Sequence, residues 1–246
     1  MKNSLNTLII AITILITAMV IANTFKHRHS EGNIINVTGL GKKDFISDLI
    51  VWKGSFTRKN MELKGAYIEL NNDRNAIKSY LISKGVNDKE IVFSSVNIEK
   101  IYDEKIDKNE SKTKLFTGYE LTQTVTIESL EIDKVETVSR EVTDLINNGV
   151  ELNSETPQYF YSKLSELKID MIASATQDGR IRAEKIATNA GGKLGKLKFA
   201  NMGVFQITAQ NSSEDFSWQG TNNTASKRKT ATITLRLQFQ IDWYVN

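Results

Sequence analysis

Between Leu164 and Gly195 a long stretch of helical character carries Ala175, Gly179, Ala183, Ala187 and Gly191 at every fourth position. Residues four apart stack one above the other on a helix, so these five form a single narrow ridge with almost no side chain. A ridge of this kind admits another backbone at close range, and the rest of the chain must supply that backbone. Gly179 stands in the middle of the predicted helix, where glycine costs roughly 0.5–1 kcal/mol relative to alanine. A close contact is expected there. The run Gly191-Gly192-Lys193-Leu194-Gly195 is expected to turn the chain out of the helix and into a strand.

The clearest strand closes the sequence. Ala231, Ile233, Leu235, Leu237, Phe239 and Ile241 alternate with Thr232, Thr234, Arg236, Gln238 and Gln240, which sets one face on a core and the other in water or at an interface. Leu49 to Arg58 reads as a strand with Ile50, Trp52 and Phe56 on one face, and Tyr119 to Glu128 as another. Ile34 to Gly39 predicts a short strand, with Gly39 to Asp48 as a hairpin connection. Ile91 to Tyr102 predicts one strand, with Val92, Ser94, Val96 and Ile98 on one side.

Two further helices are expected. One runs from about Met61 to Lys84 on a stripe of Leu63, Ala66, Leu70, Ile77 and Leu81, bends at Asn71-Asn72-Asp73 and stops at Gly85. The other runs from about Ile132 to Asn147, buries Val135, Val138, Val142, Leu145 and Ile146, and stops at Asn148-Gly149. Glu151 to Tyr161 holds the chain's only proline, Pro157, so any strand there is an edge or is broken. Ser162 or Ser165 can cap the long helix. Lys196 to Ala209 reads as a strand, and Asn211 to Ser226 as a mobile polar loop. Strand pairs interleaved with helices predict an α+β fold, antiparallel sheets with helices packed on one face.

Composition removes several functions. Cysteine is absent, which excludes disulfides, thiolate zinc sites and cysteine nucleophiles together. The net charge is only +3 and its signs are mixed along the chain, which argues against a nucleic-acid partner. The two histidines, His27 and His29, sit beside the N-terminal apolar run, which leaves the folded body without one for acid–base or metal chemistry. Gly191-Gly192 follows a helix instead of opening one, so it lacks the amide donors of a phosphate loop. The carboxylates among residues 103–113 are interleaved with lysines and lack calcium-loop spacing, so they read as a solvated hairpin tip. The sequence therefore gives no catalytic, cofactor-binding or metal-binding residues, and the expectation is a protein that is not an enzyme and carries no cofactor.

Residues 1–30 form a separate segment, with the folded domain expected over 31–246. From Leu5 to Phe25 the chain is nearly all apolar, with Lys2 before it and Lys26-His27-Arg28-His29 after it. A bilayer-spanning helix needs roughly 20 apolar residues, so the run is long enough to be a transmembrane helix. A cleaved signal helix with a core at Leu8 to Ile21 is the alternative. An uncleaved anchor is the preferred reading. Basic residues at both ends leave its orientation open.

The run from Ala175 through Asp178-Gly179, Arg182-Ala183-Glu184, Ile186-Ala187 and Gly191 to Leu194-Gly195 resembles the SIMPL-domain family, the YggE-like proteins labelled oxidative stress defence proteins. Val37-Thr38-Gly39-Leu40-Gly41, Gly85-Val86, Gly118-Tyr119 and Asn148-Gly149-Val150 agree in order and spacing, and the resemblance covers about residues 34–241. Only Gly179 departs, standing where alanine is usual. The resemblance implies an exported envelope protein that forms homo-oligomers and has no established enzymatic activity, and it transfers no catalytic residues. The expected function is a self-assembling interaction module in the periplasm or outside the cell, linked to stress defence and anchored by the N-terminal helix, or secreted or periplasmic if that helix is cleaved. A binding protein for a small envelope ligand is the alternative. Trp218, Trp243 and Tyr244 are the candidate contact residues.

Overall fold

The computed structural model describes residues 12–21, 33–106 and 112–243. A helix α1 at residues 12–21 precedes β1 (Ile34–Ile46), β2 (Leu49–Asn60), α2 (Leu63–Ser83), β3 (Ile91–Phe93), β4 (Asn97–Ile106) and β5 (Lys112–Ser129). Then follow α3 (Ile132–Glu141), β6 (Leu152–Ser154), β7 (Gln158–Phe160), α4 (Leu164–Asn189), β8 (Gly192–Met202), β9 (Gln206–Ala209) and β10 (Arg228–Trp243). One sheet has the order β1-β10-β8, with β9 also on β10. The other has the order β3-β5-β2-β6, with β4 on β5 and β7 on β2. The fold is α+β with antiparallel pairing. The chain divides into two compact units, one of Met1–Lys42, Lys168–Phe205 and Thr232–Asn246, the other of Lys43–Leu167 and Gln206–Ala231.

In the second unit β2 and β5 lie antiparallel from Ile50 opposite Ser129 to Asn60 opposite Tyr119. Ile50, Trp52 and Phe56 share a core with Leu121, Val125 and Ile127, closed by Ala66, Leu70, Ile77 and Leu81 of α2 and by Val135 and Val138 of α3. α2 runs unbroken through Asn71-Asn72-Asp73, where a bend was expected, and Asp73 is buried there, taking two bonds from the Arg58 guanidinium at 2.6 and 2.9 Å. α3 tightens into a 3-10 turn at Val142–Asn148. Three residues per turn instead of 3.6 rotates Ile146 outward, so it is exposed where the helical stripe predicted burial. Gly149, at φ +76°, ends the turn as expected.

The predicted strand over Ile91–Tyr102 is two strands. Ser94 still donates its N–H to the Thr124 carbonyl, but its hydroxyl accepts from Thr124 N–H, and the ladder resumes only at Asn97; Val92 and Ile98 lie exposed. β6 and β7 fall on either side of Pro157, the break that proline predicts. β4 and β5 pair out to Ile106 opposite Lys112, and the tip between them, at 107–111, lies outside the described residues.

In the first unit α4 buries Met171, Ala175, Gly179, Ala183 and Ala187, four residues apart, while Ile169, Ile181 and Ile186 stay exposed. The backbone that meets this ridge is β1. A Cβ on Gly39 would stand 2.0 Å from the Ala175 carbonyl oxygen and 2.8 Å from the Gly179 nitrogen, and one on Gly41 would stand 2.6 Å from the Met171 carbonyl oxygen. The glycines that suggested a hairpin turn after Gly39 are therefore strand residues, and β1 runs on to Ile46. Likewise only Gly191, at φ +80°, turns the chain at the end of α4. Gly192 and Gly195 belong to β8, where a Cβ would lie 3.0 Å from Ile241 and from the Gln240 carbonyl. The strand expected over Lys196 to Ala209 is interrupted after Met202, where Gly203 N–H donates to the Thr234 carbonyl at 2.8 Å.

The apolar run Leu5 to Phe25 lies outside the described residues except for α1. No helix among the described residues is long and apolar enough to cross a membrane.

Candidate functional site

β9 opens on Gln206, a buried amide whose bonding capacity is spent on the loop that follows. Its Nε2 donates to the Ser217 carbonyl at 2.7 Å, and its Oε1 accepts from Ser217 N–H at 3.2 Å and Thr221 N–H at 2.8 Å. Ile207 exchanges backbone bonds with Thr221 and Asn223, at 2.7 and 2.9 Å. The Glu214 carboxylate accepts from Ala209 N–H at 3.1 Å and from Asn223 Nδ2 at 2.5 Å. Gly220, at φ +94°, closes a turn back to the Ser217 carbonyl. The loop predicted to be mobile is thus tied at several points along its length. Between the ties it presents Phe216, 63% exposed, and Trp218, 99% exposed. The indole of Trp218 therefore keeps nearly all of its surface in water, and large exposed aromatics of this kind are the side chains that dominate binding energy once buried.

A cleft of about 690 Å³ lies at the start of α3 and is lined among others by Ser47, Asp48, Glu131, Asp133, Lys134 and Lys227. Its charges are matched within it. Lys227 reaches Asp133 at 2.5 Å and Glu136 at 3.8 Å, and Lys134 pairs with Glu131. Asp48 accepts from the backbone N–H and the hydroxyl of Ser162, each at 2.7 Å. Burial pushes the Asp48 carboxyl up, but these bonds outweigh it and hold the pKa below the usual carboxylate value. The Ser47 hydroxyl is buried without a hydrogen-bond partner among the described residues. A neighbouring cleft of about 710 Å³ includes Leu49, Lys89, Val92 and Thr126, and Leu130 lines both.

Of the candidate contact residues, Trp218 is on the tied loop. Trp243 is half-exposed, and its indole N–H donates to Asn33 Oδ1 at 3.1 Å. Tyr244, His27 and His29 lie outside the described residues. Among the described residues no group of three or more His, Asp or Glu is placed to hold a metal ion. Two residues of consequence escaped the sequence reading. Gln206 resembles any polar residue at a strand start. Lys229 is the second residue of β10, yet it is 2% exposed, and its Nζ donates to the Tyr159 carbonyl at 2.5 Å. Burial pushes its pKa down to about 8.

The chain matches the family model of SIMPL proteins, described as a protein of unknown function (DUF541), over residues 35–241. It is 25% identical over 166 residues to the 26 kDa periplasmic immunogenic protein of Brucella melitensis biotype 1, an alignment that covers 66% of this chain and 64% of that protein. The chain thus spans a little under two thirds of the length of this relative.

Proposed function

The chain belongs to the SIMPL family, and from that premise we propose that it is a non-enzymatic envelope protein that works by contact. In this reading it is held to the membrane by its N-terminal apolar segment, lies on the exported side and self-associates through its folded body. Export is supported by the relative, which is named as periplasmic. Anchoring is supported by the apolar run from Leu5 to Phe25.

The observation that carries the reading is Trp218, 99% exposed on a loop held by Gln206. Burying an indole removes roughly 150–250 Å² from water, or about 4–6 kcal/mol at the usual coefficient. A loop already ordered offers that gain without first having to be fixed. Sedimentation of the full chain in mild detergent tests it. The expected result is an oligomer at high micromolar concentration that Trp218→Ala shifts towards monomer. A monomer mass for the unaltered chain rejects self-association.

A small-ligand receptor is the second reading, favoured by the cleft at α3, where Asp133, Lys134 and Lys227 bring both charge signs to one opening. A saturable rise in thermal midpoint with an envelope metabolite, abolished by Lys227→Ala, is its signature.

A further inference from the structure

We propose that the end of the first unit formed by Asn33, Ile34, Lys193 and Trp243 rests on the lipid surface, with the Trp243 indole seated among the headgroups. This rests on the N-terminal segment being an uncleaved anchor. The fold brings the parts together. Ile241 N–H donates to the Asn33 carbonyl at 2.9 Å, and Trp243 Nε1 donates to Asn33 Oδ1 across 210 residues of sequence. Trp243 stands opposite Gly192 in the β10–β8 pair, and Asp242 opposite Lys193. The last residues of β10, the first of β8 and the first of β1 therefore share one end.

Chain length places that end near the bilayer. Phe25 is the last residue of the apolar run and Asn33 stands eight positions on, a reach of about 29 Å at full extension. Four of the seven residues between them are Lys26-His27-Arg28-His29, and cations such as Lys26 and Arg28 beside a membrane segment are drawn to anionic headgroups. From His29 to Asn33 is four positions, about 14 Å at most. The headgroup layer on each side of the hydrocarbon is itself about 5–8 Å deep.

The surface at that end has the chemistry of the interface. Trp243 is 50% exposed and Ile34 41%, and Lys193 is exposed beside them. Tryptophan concentrates at the headgroup level because its ring is apolar at one side and polar at the other. Here Asn33 already satisfies the indole N–H, so moving the ring out of bulk water strands no donor.

The test uses the full chain reconstituted into phosphatidylcholine–phosphatidylglycerol vesicles, with and without brominated acyl chains. Flotation reports anchoring on its own. Trp243 emission is obtained as the difference between Trp218→Phe and the double variant Trp218→Phe/Trp243→Phe. Brominated lipid is expected to quench that difference at least twofold. In a second measurement, Lys193→Cys carries a nitroxide at a single site, because the chain has no other cysteine. The label is expected to be more accessible to oxygen than to a water-soluble nickel complex. Flotation with unquenched Trp243 and a water-exposed label overturns the docking and leaves the anchor standing. Failure to float overturns both. If Trp243→Phe fails to fold, the label alone decides.

Discussion

Gly39 and Gly179 face each other where β1 crosses α4, and neither has room for a methyl group. On Gly39 the new carbon would meet backbone atoms, the Ala175 oxygen at 2.0 Å and the Gly179 nitrogen at 2.8 Å, which cannot move aside cheaply. Gly39→Ala should therefore cost about 2–3 kcal/mol or more. On Gly179 the nearest atom is the tip of Leu237 at 2.5 Å, which can shift, and alanine gains up to about 1 kcal/mol in a helix. Gly179→Ala should cost less, about 1 kcal/mol net. Denaturant unfolding gives the order, and a stabilised Gly179→Ala would mean that helix propensity outweighs the contact.

Lys229 gives the fold's stability a pH dependence. Its folded pKa of about 8 lies below the unfolded value near 10.4. Between the two the unfolded chain holds a proton that the folded chain has released, so stability rises as pH climbs through 8. The full difference corresponds to about 3 kcal/mol as an upper figure. Tyr159, pushed up by burial to about 12, works in the opposite direction only above pH ~10. Thermal midpoints between pH 8 and 10 should rise, and Lys229→Met should flatten that rise. The ridge was legible in the sequence because its period is regular. Its partner was not, since glycine serves a turn and a close crossing equally well. Lys229 was hidden because sequence gives no measure of depth near the start of a strand.

Long, strictly periodic elements were the ones that could be read in advance. β10, β2 and β5 stand where alternation put them, and α2 ends at Gly85 with φ +84°. The misses share a cause, which is that tertiary hydrogen bonds override local pattern. Ser94 breaks one strand by bonding Thr124, Arg58 draws Asp73 inward, and Gln206 orders a stretch without periodicity. That last point is testable. Gln206→Ala removes three bonds to the loop and should raise amide exchange of Ser217 and Thr221 by about one to two orders of magnitude, reflecting roughly 1–3 kcal/mol of local opening. Little change should reach β2 and β5. Unchanged protection at Ser217 would mean that Glu214 and Ile207 hold the loop alone.

Across the whole molecule, neither unit is a continuous piece of chain. The second unit needs Gln206–Ala231 as well as Lys43–Leu167. Ser47 N–H bonds the Lys227 carbonyl at 2.9 Å, Tyr159 N–H the Thr224 carbonyl at 2.7 Å, and Asp44 accepts from Thr230 at 2.6 Å and Gln210 at 3.1 Å. A fragment of residues 43–167 forfeits all four. It should lack the near-ultraviolet signal of a packed Trp52, and a cooperative unfolding transition in that fragment would refute the interdependence. The family match over 35–241 suits this arrangement, because a unit assembled from separated segments keeps its parts only when the whole stretch is retained. The β1–β10–β8 order also sets a sequence of events in time. β1 pairs with a strand that begins almost 200 residues later, and non-local pairings close slowly because the intervening loop must be ordered first. Until β10 is available, β1 and its two glycines wait as an unpaired edge, while β2, α2 and β5 already have one another. The first unit to begin is therefore the last to finish, and the interval between is when this chain most needs protection from aggregation.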